Sequence, residues 1–425
     1  MVKQEKIAVI GLGYVGLPLL IELSKHHKVI GYDIDNCRIE GLKAGEDTTR
    51  EVTEQALRGC ITAGALFTNK VTDIEPATVY ICTVPTPVDE HNSPNLDMLI
   101  NATTAIGKKL SAGNLVIYES TVFPGATEEI CIPILEEFSS LKYNEGFSCG
   151  YSPERINPGD NGRKLPDIIK VVSAGSKASL DRVRNIYEKI VTAGVYEAPS
   201  IVVAEAAKVI ENTQRDVNVA LVNEFALIFD KLNIDTKSVL EAALTKWNFL
   251  NFQPGLVGGH CISIDPYYLA HKAQEVGYKP DLIMSARRIN DNMGTHIAHK
   301  FVKMLLSKGA LQFSKRVLVM GLTFKEDCPD LRNTGVISII RELETYGLTV
   351  DVHDPVCNID EAQKNYGINI VKLSNEDSYA GVIITVAHAE FKKMSKRQLK
   401  QLGINNAVIL DVKSIFPPDF SDYRL

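Results

Sequence analysis

Cys261 follows two glycines and a histidine in the segment PGLVGGHCISIDPYY, residues 254–268, and Asp265 stands four residues further on. Gly258 and Gly259 free the backbone and let a bulky ligand come close. A cysteine in such a loop is either a nucleophile, activated by a nearby cation or by hydrogen bonds, or a small buried residue beside a turn. The loop alone leaves both readings open. His260 does not read as its base, because neighbouring side chains of an extended segment point to opposite faces. A structural or substrate-contact role suits it better.

Other groups sit at spacings that can serve one site. Lys208, Asn212 and Arg215 stand at i, i+4 and i+7 in a stretch of helical periodicity, which puts them on one face. A cation beside an amide suits an oxyanion, and a solvated polar face has the same pattern. Glu154 and Arg155 lie between prolines in YSPERINPGD (151–160), after a short strand. Ser120 and Thr121 lie at another strand end, in ESTVFPG. Lys325 and Arg332, in GLTFKEDCPDLR (321–332), are candidate phosphate contacts. Loops at strand ends are where α/β proteins keep their sites.

A third constellation is the turn Gly11-Leu12-Gly13-Tyr14-Val15-Gly16. A lone GxGxxG is weak, but this one follows a predicted strand and opens a predicted helix, and Asp33 ends the next strand 20 residues after Gly13. Gly11 permits the tight turn, Gly13 the approach of a pyrophosphate, and Gly16 close helix–strand packing. Asp33 can accept from ribose hydroxyls and would repel a 2′-phosphate, so NAD is favoured over NADP. Arg38 stands close enough to keep NADP open.

The elements that must position these groups follow from periodicity. Residues 6–10, 28–33, 78–83, 115–118 and 169–173 read as strands, and 14–25 as a helix, so residues 1 to about 195 form one α/β domain. From Ser200 to Gln253 there is neither glycine nor proline. Apolar residues recur there at helical steps, predicting a helix over 202–232, ~45 Å long at ~1.5 Å per residue. Helices of that length join domains or form oligomer interfaces. More helix is expected at 236–246 and 281–308. Strands at 316–320, 348–352, 382–386 and 408–411, with a helix over 335–346, make a second, smaller α/β domain.

Composition narrows the function classes. The chain has 425 residues, 45% hydrophobic and 23% charged, which excludes a disordered or collagen-like chain and a small disulfide scaffold. Net charge is −6 with no long basic run, which argues against a nucleic-acid partner. No apolar stretch approaches ~18 residues, so no membrane span is expected. The start does not read as a signal peptide, and a cytoplasmic location is the default. The eight cysteines form no CxxC pair and no zinc-type spacing with histidine, so no metal site is expected.

Taken together, GLGYVGLP (11–18), TVPTP (83–87), YESTVFPGATEE (118–129), YSPERINPGD (151–160), AEAAKVIENTQRDVN (204–218), PGLVGGHCISIDPYYL (254–269) and GLTFKEDCPDLRN (321–333) resemble the UDP-glucose/GDP-mannose dehydrogenase family. They resemble most the branch acting on UDP-N-acetylhexosamines, as in Vi-antigen and O-antigen sugar synthesis. Glucose-type members carry Glu-Phe-Leu where this chain has Glu154-Arg155-Ile156. They also have a shorter segment before the cysteine than residues 245–261. Both departures point away from UDP-glucose.

The resemblance implies an α/β protein with two Rossmann-like parallel-sheet domains joined by a central helical domain with one long helix. The implied domains are an NAD-binding one (1–198), a central dimerisation domain (199–305) and a UDP-sugar-binding one (306–425). The implied reaction oxidises a sugar C6 alcohol to a carboxylate with two NAD, through a thioester on Cys261. By motif position, Lys208 and Asn212 stabilise oxyanions. Asp265, with Lys208 and a water near Thr121, aids the first deprotonation, and Glu154 is the base for hydrolysis. Gly11, Gly13, Tyr14, Val15, Asp33, Arg38, Thr83, Thr121 and Arg332 would hold NAD. Lys325, Arg215, Gly258 and the loop with Asn248, Phe249 and Phe252 would hold the UDP-sugar, beside Glu154, Lys208 and Asn212. Arg155 would read an N-acetylhexosamine. UDP-N-acetylglucosamine is the first expectation, with the galacto and manno epimers as alternatives and a homodimer through the long helix. The competing readings, a two-electron dehydrogenase or a non-catalytic NAD-binding protein, have no use for Cys261.

Overall fold

Short runs of β-branched and aliphatic residues, apolar on both faces, become the strands of two sheets covered on both sides. The computed structural model describes residues 5–155, 164–259, 262–374 and 378–425. By contacts the chain divides into two units, one up to Glu211 together with Tyr267–Tyr278, the other Asn212–Pro266 with Lys279–Leu425. Residues 199–305, expected as a central domain, fall partly in each.

In the first unit, β1 (Lys6–Ile10), β2 (Lys28–Tyr32), β3 (Leu66–Thr68), β4 (Val79–Cys82), β5 (Leu115–Tyr118), β6 (Ser148–Tyr151), β7 (Lys170–Ala174) and β8 (Val195–Glu197) form one sheet. Its order is β3-β2-β1-β4-β5-β6-β7-β8. The strand order reverses at β1 and β4, and ligands of such sheets bind beyond the strand C-termini at that switch. Helix Gly16–Ser24 buries Leu17, Leu19, Leu20, Ile21 and Leu23 against the sheet. Each such side chain contributes roughly 1.5–3 kcal/mol.

One pair departs from the parallel expectation. β7 runs antiparallel to β6, with Gly150 opposite Ala174 and Tyr151 opposite Ser173. Continued for three residues, that register sets Lys170 opposite Glu154.

In the second unit, β9 (Arg316–Met320), β10 (Thr349–His353), β11 (Tyr379–Ile384), β12 (Gly403–Asp411) and β13 (Tyr423–Arg424) form a parallel sheet of order β10-β9-β11-β12-β13. Helix Asp281–Ser307 packs Ala298, Phe301, Val302 and Leu305 into its core beside Ile339 and Leu343 of helix Val336–Thr345. A Cβ on Gly381 would come within 2.5 Å of the Phe301 ring, so the strand has no side chain where the helix crosses it.

The predicted long helix is observed as Ile201–Leu232. Within the second unit its Asp216 is held by Arg287 Nη1 at 2.5 Å and by Asn290 Nδ2 at 2.7 Å. Asn223 exchanges two bonds with the backbone of Gly255, donating from Nδ2 to its carbonyl (3.0 Å) and accepting its N–H (2.7 Å). The long helix thereby anchors the start of the glycine loop.

Candidate active site

The dinucleotide turn is built from four elements of the first unit. Gly11 takes φ +92° and donates its N–H to Tyr32 O at 2.9 Å. Thr83, just past β4, donates Oγ1 to the carbonyls of Ile10 (3.0 Å) and Gly11 (2.7 Å). Asp33 Oδ2 accepts the Leu12 N–H at 2.8 Å. A Cβ on Gly16 would lie 1.9 Å from Gly11 O, so only glycine fits there.

The turn fits NAD. No side chain caps the following helix at Val15; Leu17 donates to Gly13 O at 3.2 Å and Pro18 has no N–H, which leaves the Gly16 N–H at the helix start for a phosphate. A Cβ on Gly13 would meet nothing within 4 Å, so that side is open to a ligand. Arg38 donates Nε to Leu12 O at 2.9 Å and pairs with Asp47 at 2.8 Å. Its guanidinium is thus committed to the fold rather than held ready for a 2′-phosphate.

At the ends of β5 and β6 the same unit gathers charged groups. Lys208, on the long helix, donates Nζ to the main-chain oxygen of Glu154 at 3.0 Å, both residues being buried. Arg155 donates to the carbonyls of Ala207 (2.9 Å) and Lys208 (3.3 Å) and pairs with Glu211 (2.8 Å). The side chain expected to read the sugar is therefore engaged with the helix. The Thr121 carbonyl accepts the Thr86 hydroxyl at 2.6 Å, which ties two of the strand-end loops.

In the second unit, Asn212 donates Nδ2 to Asp265 Oδ2 at 2.6 Å, and Arg215 donates Nη1 to Asn212 Oδ1 at 3.2 Å. Asp265 is fully buried and opens helix Asp265–Glu275 where the sequence reads as loop. Pro266 is the reason for the misreading, since proline suits the first helical turn as well as a loop. His260 and Cys261 lie outside the described residues, as do residues 156–163 of the Glu154 loop. The glycines leading to the cysteine are described. A Cβ on Gly258 would lie 2.7 Å from Asn333 O, and Gly259 takes φ +85° while donating to Arg332 O.

Beside those glycines the second unit opens a small cleft lined by Leu256, Phe324, Lys325, Gly335, Thr385 and Lys413 among others. It lies past the C-terminal ends of β9 and β11, where α/β sheets bind ligands. Gly335 and Val336 line it at the start of helix Val336–Thr345, where Thr334 accepts the Val336 N–H on Oγ1 at 3.3 Å and the Ile337 N–H on its carbonyl at 3.4 Å. Burial pushes the Lys413 ammonium below the ordinary lysine value, with Glu326 opposing. An anion there would favour its charged form. Arg332 is held by Asp330 in a bidentate pair at 2.8 and 2.5 Å. Asn248 is exposed, and Phe249 and Phe252 are half-buried, next to Trp247 at 96% exposure.

Four residues at or beside these sites escaped the sequence reading: Lys413 of the cleft, and Lys170, Glu119 and Tyr187, which are bonded to one another and buried behind Glu154. Lys170 had a signal. A lysine inside the apolar run IIKVV can be buried only with a partner.

Among the described residues no helix is long and apolar enough to cross a membrane, and no cluster suited to a metal ion occurs. Comparison with known proteins gives a consistent picture. Residues 5–191 match the NAD-binding domain of the UDP-glucose/GDP-mannose dehydrogenase family, 202–292 its central domain and 318–418 its UDP-binding domain. The chain is 51% identical to a UDP-N-acetyl-D-glucosamine 6-dehydrogenase of Pseudomonas aeruginosa, with all of both chains covered. It is 47% identical to one of Salmonella typhi, over 100% of this chain and 99% of that protein. A solved structure of a UDP-D-ManNAc dehydrogenase from Pyrococcus horikoshii superposes with a TM-score of 0.89 at 28% identity, covering 99% and 98% of the two chains. Three domain matches in chain order and end-to-end likeness to the relatives thus show that the chain belongs to the UDP-glucose/GDP-mannose dehydrogenase family and is an NAD-dependent nucleotide-sugar dehydrogenase.

Proposed function

We propose that this enzyme oxidises the C6 hydroxyl of UDP-N-acetylglucosamine to the carboxylate. The carrying observation is the 51% identity, end to end, with a relative named for that activity. Bound NAD supplies the hydride acceptor, twice per sugar. In this reading Asp265 and Lys208 take the C6 hydroxyl proton through a water held near Thr121. Lys208 and Asn212, one turn apart on the long helix, stabilise the oxyanions. The Cys261 thiolate adds to the aldehyde carbon. Loss of the second hydride leaves a thioester, and Glu154 removes a proton from the water that hydrolyses it, freeing the thiol.

Gly11, Gly13, Tyr14, Val15, Asp33, Thr83 and Thr121 hold NAD, with Arg38 supporting the turn and Arg332 nearby in the reading. Lys325, Gly258 and the 248–252 segment hold the UDP-sugar, and the cleft adds Lys413. Arg155 reads the acetamido group by exchanging one of its helix bonds for the sugar. The three family matches support division near residues 198 and 305. The exposed Val203, Ile210, Leu221 and Ile228 of the long helix support pairing of two chains along it. The product is an activated uronic acid for surface polysaccharide, made in the cytoplasm.

The test is NADH formed per mole of limiting sugar, with UDP-N-acetylglucosamine, its galacto and manno epimers and UDP-glucose in parallel. Two NADH from UDP-N-acetylglucosamine is expected, and Cys261→Ser should form no acid while still binding NAD. One NADH per sugar would remove the thioester. Two NADH from an epimer alone would move the substrate.

A further inference from the structure

Behind Glu154 lies a set of buried side chains to which the chemistry above gives no part. Lys170, the first residue of β7, donates Nζ to Glu154 Oε2 and to Glu119 Oε2, each at 2.9 Å. Side-chain exposure is 5% for Lys170, 8% for Glu154 and 0% for Glu119. Tyr187, from helix Lys177–Tyr187, donates its hydroxyl to Glu119 Oε1, and its ring centroid lies 5.1 Å from the Lys170 ammonium. The other Glu154 oxygen, Oε1, accepts the Arg155 N–H at 2.5 Å.

Among the described residues, two further charged side chains near Glu154 bond to other groups. Lys208 donates to the Glu154 main-chain oxygen, and the Arg155 guanidinium is spent on the long helix and Glu211. Two carboxylates thus share one ammonium away from water. Such a set carries one excess negative charge, and its two acids titrate as a pair. Burial pushes Glu119 up to about 7 although Lys170 opposes it. For Lys170, burial works against the charge, but the two carboxylates outweigh it and keep the ammonium charged. Near neutral pH Glu119 therefore still carries part of its negative charge, which bears on Glu154 through the shared Lys170.

We propose that Lys170 is the positioning residue for Glu154, holding its carboxylate ionised and aimed, with Glu119 as the opposing charge that tunes it. The inference rests on the reading of Glu154 as the base of thioester hydrolysis. Its geometry follows from the antiparallel turn of β7, which sets position 170 opposite position 154.

The test uses the full-length enzyme and the pH dependence of kcat with UDP-N-acetylglucosamine and NAD. Lys170→Met removes a positive neighbour, so the acid limb should move up by about one pH unit or more, and kcat at neutral pH should fall ~10-fold with the sugar KM within about twofold. Glu119→Gln removes a negative neighbour, so the acid limb should move down. Lys170→Arg should restore most of the wild-type profile. Opposite displacements are what a merely structural role would not produce. If Lys170→Met fails to fold, Glu119→Gln and Lys170→Arg still decide. Acid limbs that stay at the wild-type position, or move the same way, overturn the proposal. Glu154→Gln run alongside separates the two claims. A trapped covalent sugar adduct in that variant, with unmoved limbs in the others, sinks Lys170 alone, whereas wild-type turnover by Glu154→Gln sinks the base and its positioning together.

Discussion

The two units build the same turn and use it differently. Gly11 and Gly321 take φ +92° and +99° and donate to Tyr32 O and His353 O at 2.9 and 2.8 Å. Thr83 and Thr385 donate Oγ1 to the carbonyls of those glycines at 2.7 and 2.6 Å. Asp33 and Asp354, each just past the second strand of its sheet, accept the N–H of Leu12 and Leu322 at 2.8 and 2.6 Å. There the likeness ends. Asp33 is partly exposed and accepts one further N–H, from Asp35. Asp354 is 5% exposed and also takes the N–H groups of Thr323, Val356 and Cys357 and the Nε2 hydrogen of His388. That hydrogen sits on Nε2 because Nδ1 accepts the Asp327 N–H. Five donors exceed the ~4 lone-pair sites of a carboxylate, so nothing remains for a ribose. A carboxylate that can read a cofactor in one unit is a structural pin in the other. The second turn also delays its helix from Gly16 to the equivalent of Val336, and the intervening loop makes room for the cleft and for Lys325.

The comparison breaks most visibly at the two aspartates. Asp354→Ala is expected to destabilise its unit by about 2–4 kcal/mol while leaving NAD binding intact. Asp33→Ala should raise the KM for NAD about tenfold or more with little change in unfolding. Denaturant titration beside NAD kinetics checks both, and equal destabilisation by the two would end the distinction. Burial alone would raise Asp354, but His388 and the N–H donors outweigh it and hold it well below the usual carboxylate range. Its contribution is therefore present above about pH 4 and is lost as the pH falls.

Next in size is the cleft. Lys413→Met should weaken UDP-sugar binding about tenfold or more, measured by calorimetry, without changing NAD affinity. Because burial lowers Lys413, wild-type affinity should decline as alkaline pH removes its proton. Lys413→Arg should flatten that decline, and an unchanged slope would take the phosphate away from this lysine. The smallest effect is at the matched threonines. Thr83→Val and Thr385→Val should each cost about 1 kcal/mol, and only the first should disturb NAD.

Much of this was legible in the residues. Strands 6–10, 115–118 and 316–320 are observed as read, and Lys208 and Asn212 lie on one helix at the expected spacing. These are short-range facts, carried by period and by glycine. What was not legible depends on which distant strand returns beside which. Lys170 meets Glu154 only because β7 turns back antiparallel, and Glu119 joins from a third strand end. The likeness of Asp354 to Asp33 was hidden because it resides in hydrogen bonds to main chain, which leave almost no trace in side-chain identity. Arg155 reads from the sequence as a sugar contact, and nothing in its neighbourhood along the chain announces Ala207 and Glu211.

The double bond between Asn223 and Gly255 has a consequence for how such a loop can change over time. An asparagine amide that both donates to and accepts from one residue behaves like a neighbouring strand, and it fixes Gly255 as a post. Upstream of that post, residues can be inserted, removed or exchanged, and the slack is absorbed before it arrives. Downstream, every residue is measured against Gly258 and Gly259, which have no spare room. Variation in length should therefore collect on one side of Gly255 and be refused on the other.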